Sequence, residues 1–195
     1  MSNIFHKMIQ KIAIFASGSG SNAENIIRYF ENNPNFEFPV ILSNKEDAFI
    51  HERAKKLGIK SFTFSKKEFD EGAKIVNFLA DYQINFIILA GFLLKVSLPL
   101  LRTYPERIIN IHPALLPKYG GKGMYGHFVH EAVVASGEKE SGITIHYVNE
   151  NYDEGNVIFQ AKCRVESDDT PDMVAAKVHE LEYKHFPEVI AKLLS

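Results

Sequence analysis

The sequence predicts an α/β fold built on a mostly parallel, helix-covered sheet. Three observations predict it. Short apolar runs alternate with segments of helical spacing from Lys11 to His112, the signature of a sheet wound with helices. One run, Asn85-Phe-Ile-Ile-Leu-Ala90, is almost wholly apolar, as a strand covered on both faces must be. After these, two β-branched stretches follow each other across a short turn-rich segment, so an antiparallel C-terminal extension completes a Rossmann-like sheet.

In order, residues 11–17 form a strand, and glycine-rich 18–21 follows it. Residues 22–32 carry Ala23, Ile26, Ile27 and Phe30 at helical spacing. A strand at 36–43 precedes a short helix at 48–57, closed by Gly58. Residues 59–64 are a third strand. Residues 68–82 read as one helix with Phe69, Ala73, Val76, Leu79 and Ala80 near one face. Strand 85–90, a short helix at 97–104 and strand 107–112 complete the parallel part. A loop with four glycines spans 118–126, and 130–136 is helical. Strands 142–148 and 157–165 suggest a hairpin. Helix 171–194 closes the chain, interrupted or kinked at Pro187, which has no amide hydrogen to continue the ladder.

The chain has 195 residues, with 22 basic against 24 acidic and a formal charge of −2. One domain is expected. The charge gives no electrostatic case for nucleic acid. No segment approaches the roughly 20 apolar residues of a membrane span. The start at Met1 to Lys7 lacks a signal-peptide apolar region. The single cysteine, Cys163, cannot pair internally and lies in an apolar run, where an inert buried thiol is expected. A cytoplasmic protein is the simplest expectation.

The most informative stretch is Ile108-Ile-Asn110-Ile-His112-Pro113. Residues two apart on a strand share a face, so Asn110 and His112 project together from an apolar run. Pro113 biases His112 to extended geometry and ends the strand there. Carboxyl ends of such strands are where α/β proteins bind ligands. An amide able to polarise a carbonyl then sits beside an imidazole able to move a proton. The alternative is a strand-end pair that only satisfies loop backbone.

Ser17-Gly-Ser-Gly20-Ser21-Asn22-Ala23 joins the first strand to its helix. Free backbone N–H groups and the positive end of the helix dipole make such a turn a phosphate cradle. No Gly-Lys-Ser/Thr follows, so it is not a P-loop. It fits the relaxed dinucleotide pattern Gly-x-Gly-x-x-Ala, but Ser43 and Asn44 stand where a ribose-binding acid belongs. Asp153 lies in a turn between the last two strands, where Gly155 is expected to supply the unusual dihedrals. Folded over the Asn110/His112 edge, its carboxylate would raise the imidazole pKa.

Ser17 to Asn22, Ala90-Gly-Phe92, Asn110-Ile-His-Pro-Ala-Leu-Leu-Pro117 and Gly142-x-Thr-x-His-x-Val with Asp153-x-Gly155 together resemble the motifs of the folate-dependent formyltransferases. The resemblance runs from about Lys11 to Pro187. It is greatest to members acting on glycinamide ribonucleotide. It implies one formyltransferase domain over 1–195, with a phosphate-binding half at about 11–105 and a catalytic, folate-binding half at about 106–195. It implies 10-formyltetrahydrofolate as co-substrate and no metal.

By position, the resemblance gives Asn110 the formyl oxygen and His112 the proton transfer. Asp153 would keep His112 cationic. Gly20, Ser21 and Asn22 would hold the substrate phosphate, Glu182 the ribose, and His179 a further substrate contact. Leu93, Leu94, Lys95 and Val96, with Asn149, Glu150, Asn151, Tyr152 and Asp153, would line the folate site beside Asn110. The glycine loop 120–126 is longer than the resemblance implies and suits a flap. The arginines that hold the folate tail in some relatives are missing, leaving Lys95 as a weak substitute.

Three rival readings share part of this pattern. A formyltetrahydrofolate hydrolase would keep Asn110, His112 and Asp153 but would be expected to carry a regulatory domain before the first strand. A methionyl-tRNA formyltransferase would need an RNA-binding domain and a basic surface. A non-catalytic nucleotide-binding module would leave Asn110, His112 and Asp153 unexplained. His127, His130 and His146 lack zinc-site spacing. His51, His146 and His185 are expected to be packed or solvated, and His130 to lie near the substrate. Small-molecule partners are expected, with no nucleic acid or membrane partner, in a monomer or homodimer.

Overall fold

The structure is a computed structural model that describes residues 9–195; the expectation for Met1 to Lys7 lies outside the described residues. Its sheet has seven strands in the order β3-β2-β1-β4-β5-β6-β7. β1 (Gln10–Phe15), β2 (Phe36–Ser43), β3 (Lys60–Thr63), β4 (Phe86–Leu89) and β5 (Ile108–His112) run parallel. β6 (Glu140–Tyr147) and β7 (Val157–Arg164) add to β5 in antiparallel sense. The α/β class and the antiparallel extension are as the sequence predicts.

Alternation along the strands divides the core into two layers. Ile12 and Ile14 of β1 face the layer of α1 (Ser21–Tyr29), α2 (Ile50–Lys56), α6 (His127–Ala135) and α7 (Pro171–Leu193). Ala13 and Phe15 face α3 (Lys66–Glu71), α4 (Ala73–Asp81) and α5 (Leu98–Thr103). β1 lies between β2 and β4, so connections leave its two sides in opposite directions. That switch opens a crevice at the carboxyl ends of β1 and β4. Ser17 bridges its rim, accepting from Leu93 N at 3.0 Å and donating to Asn44 Oδ1 at 2.6 Å.

Three local expectations need correction. The helix expected over 68–82 is split into α3 and α4 by Gly72, whose φ of 74° no helix continues. α3 itself begins at a capping box of Ser65 and Glu68. Pro187 does not interrupt α7, which continues to Leu193. The carbonyl that Pro187 leaves unpaired, Tyr183 O, accepts instead from Asn25 Nδ2 of α1 at 2.8 Å. In the turn before β7 the left-handed residue is Asp153 (φ 56°), not Gly155. Gly155 is required for close approach: a Cβ there would lie 1.7 Å from Tyr147 O.

Candidate active site

Loops after β1, β4 and β5, the loop before α6, and one face of α7 line a cavity of about 810 Å³. Antiparallel pairing sets what meets there. Asn110 lies opposite His146 and His112 opposite Thr144 in the β5–β6 register. Thr144 Oγ1 donates to Ala114 O at 2.7 Å and accepts from Leu116 N at 3.0 Å, which ties down the loop after β5. The turn that begins at the end of β6 then carries Asp153 back to the end of β5.

The ring nitrogens are assigned by their partners. His112 Nε2 donates to Tyr119 O at 2.7 Å, so its Nδ1 faces Asp153 Oδ2 at 3.6 Å. His146 Nδ1 donates to Tyr147 O at 2.8 Å, which leaves Nε2 to accept from Asn110 Nδ2 at 3.1 Å. His146 Nε2 also lies 3.6 Å from Asp153 Oδ1. Asp153 Oδ2 accepts from Gly121 N at 2.9 Å, which draws the glycine loop onto the site. The amide, imidazole and carboxylate expected from the sequence therefore converge, with His146 as a fourth member.

His112 is 4 % exposed. Burial is the largest influence on its ring and lowers its pKa; the Asp153 charge and the Tyr119 carbonyl oppose that without reversing it. Asp153 thus raises the His112 pKa as expected, but burial outweighs it, and the net shift favours the neutral imidazole. Burial pushes the Asp153 carboxyl up, but contact with the His146 ring, the charge that His112 takes on at acid pH and the Gly121 N–H together hold it below the usual range. A proton arriving on His112 Nδ1 would meet this carboxylate.

At the other end of the cavity, the turn after β1 enters α1 with no side-chain cap, so the first N–H groups of that helix are free for a ligand. Gly20, Ser21 and Asn22 all line the cavity, as does Lys45. Buried Glu182 of α7 accepts from Asn22 Nδ2 at 2.9 Å and faces His179 Nδ1 at 2.8 Å. That contact raises the His179 pKa. Beside them His130 is buried, its Nδ1 without a partner. Burial, then the neighbouring His179, push its pKa down to about 4.

Of the residues expected at the folate site, Leu93, Tyr152, Asp153 and Asn110 line the cavity. Leu94, Lys95, Val96, Asn149, Glu150 and Asn151 do not line it. Val96 is buried in the core, and Lys95, Asn149, Glu150 and Asn151 are exposed. Sequence reasoning missed three participants. His146 was expected to be packed or solvated; the signal was its place in Gly142-x-Thr-x-His, which puts it on one face with Thr144. Ser17 and Lys45 gave no signal beyond adjacency to the glycine turn and to Asn44. Among the described residues, no three metal-ligating side chains gather as a metal site.

Residues 10–190 match the formyl transferase family. The chain is 36% identical to the phosphoribosylglycinamide formyltransferase of Bacillus subtilis (strain 168), over 95% of each chain. It is 40% identical to the chloroplastic phosphoribosylglycinamide formyltransferase of Arabidopsis thaliana over 94% of its own length. It spans only 65% of that plant relative's length and 61% of the one from Vigna unguiculata. The solved structure of phosphoribosylglycinamide formyltransferase from Streptococcus pneumoniae TIGR4 superposes with a TM-score of 0.84 at 39% identity, covering 96% of this chain and all of that one.

Proposed function

Since this chain belongs to the formyl transferase family, we propose that it transfers a formyl group from 10-formyltetrahydrofolate to the amino group of glycinamide ribonucleotide, a step of purine biosynthesis. The observation that carries this reading is one cavity with two chemically distinct ends. One end holds Asn110, His112 and Asp153; the other holds the uncapped N-terminus of α1 with Gly20, Ser21, Asn22 and Glu182. A phosphorylated amine acceptor fits that polarity. Phe92, Leu93 and Ile111 supply apolar wall beside Asn110, suited to a flat pterin ring.

In this mechanism the acceptor nitrogen attacks the formyl carbon and the carbonyl oxygen becomes an oxyanion. Asn110 spends one Nδ2 hydrogen on His146 and gives the other to that oxygen. Such donors contribute roughly 3–4 kcal/mol each to transition-state stabilisation. Neutral His112 takes the proton released by the attacking amine on Nδ1, where ionised Asp153 stabilises it. The tetrahedral centre collapses by breaking its bond to the folate nitrogen, which receives the proton from His112. No covalent enzyme intermediate and no metal is needed. A single domain and a cytoplasmic location belong to the same reading; no helix among the described residues is long and apolar enough to cross a membrane.

The test is release of label from formyl-labelled folate donor, with and without glycinamide ribonucleotide. Label should pass to the ribonucleotide, and Asn110→Ala should slow its passage by ~10² or more, the scale of a lost oxyanion donor. Release of formate without acceptor would favour the hydrolase, and wild-type turnover by Asn110→Ala would remove its assigned role.

A further inference from the structure

The turn after β1 does not hold its shape alone. Ile50 N donates to Gly18 O at 3.2 Å, and one turn later Arg53 Nε donates to Ser19 O at 2.8 Å. Ser19 C=O and Gly20 N–H belong to one trans peptide and point in opposite directions. Anchoring that oxygen on Arg53 therefore turns the Gly20 N–H away from α2. Gly20 itself sits at φ 71° with its α-carbon against Ile50, where a Cβ would come within 2.1 Å of Ile50 Cδ1.

The same guanidinium meets a second need. Glu24 lies in the first turn of α1, two residues beyond Asn22, where its charge opposes any anion held by that turn. Arg28 binds Glu24 from the exposed side, with Nε–Oε1 at 2.9 Å, and Arg53 Nη1 binds the other oxygen. Arg53 is the better shielded of the two cations, with a side chain 27% exposed against 57% for Arg28. It also packs over Phe49, 5.1 Å from the ring centroid.

Resting on the phosphate end of the reading above, we propose that Arg53 is the positioning residue of the anion cradle: it orients the Ser19–Gly20 peptide and masks Glu24, so that the turn accepts a phosphomonoester dianion. Removing it unpins the peptide and exposes a like charge beside the ligand. Arg53 touches no substrate, so its effect falls on acceptor affinity and leaves the formyl-transfer step alone.

The test is steady-state kinetics of the whole chain carrying Arg53→Gln, Arg53→Lys, and Arg53→Gln with Glu24→Gln. Thermal melts show that each variant is folded. Arg53→Gln should raise KM for the ribonucleotide about tenfold, with kcat and the folate KM moving less than twofold; Arg53→Lys should recover part of the loss. Adding Glu24→Gln to Arg53→Gln should return at least threefold, because the repelling charge is gone. An unmoved ribonucleotide KM, an equal rise for both substrates, or no recovery with Glu24→Gln overturns the assignment. Inorganic phosphate supplies the separate check. It should compete with the ribonucleotide in the unaltered protein and cease to do so in Ser21→Ala/Asn22→Ala. Absence of that competition overturns the cradle itself, whereas competition with an unmoved Arg53→Gln overturns only the role of Arg53.

Discussion

His112 illustrates how a side chain's environment decides its job. Its lowered pKa suits it to the proposed role of base at neutral pH, and Tyr119 O fixes which nitrogen is free. The acid limb of kcat/KM should accordingly lie below 6.5, with activity lost as pH falls through it and the imidazole gains its proton. Asp153→Asn removes the anion that favours this proton, so the limb should move lower still while kcat falls; a limb that stays in place removes the pairing. Asn110, His112 and Asp153 were legible in the sequence because strand alternation and a terminating proline put the first two on one edge. His146 was not, because a histidine inside an apolar strand reads as packing until the partner strand and its register are known. The sign of the His112 shift was equally hidden: it depends on burial, and no spacing reports burial.

At the scale of elements, nearly every strand and helix was legible from period and punctuation, and the exceptions turn on single backbone positions. Gly72 falls inside the helix expected over 68–82, yet its positive φ ends one helix and starts another. Pro187 reads as a break or a kink, yet the helix runs on through it, and Asn25 of α1 supplies the donor its geometry withholds. The Pro187 outcome does not depend on local sequence, since its partner is distant in the chain. Asn25→Ala should cost about 1 kcal/mol in denaturant unfolding, the net worth of one such bond. With Pro187→Ala the i−4 hydrogen bond becomes available to Tyr183 O, and the same Asn25→Ala change should cost markedly less. Equal losses in both backgrounds would show that α1 and α7 are not coupled through this carbonyl.

Across the whole molecule, buried imidazoles make the fold sensitive to acid. His130 binds a proton only near pH 4 when folded but near 6.5 when unfolded. Between those values the unfolded chain holds more protons, so stability present above pH 6.5 is lost as pH falls toward 4. The shift corresponds to on the order of 3 kcal/mol across that window. His112, shifted in the same direction, adds to it. Melting temperature should fall steeply over this range, and His130→Gln should flatten the slope; an identical slope would mean that other groups carry the acid response. The hydrogen bond from Asn22 to Glu182 joins positions 160 apart. An acceptor seated at that junction, as proposed, would be gripped by both of these distant segments at once, and both would have to let go before either could unravel. Occupancy would therefore brace the molecule as a unit, and opposing ends of the polypeptide would resist unfolding together for as long as the guest stays.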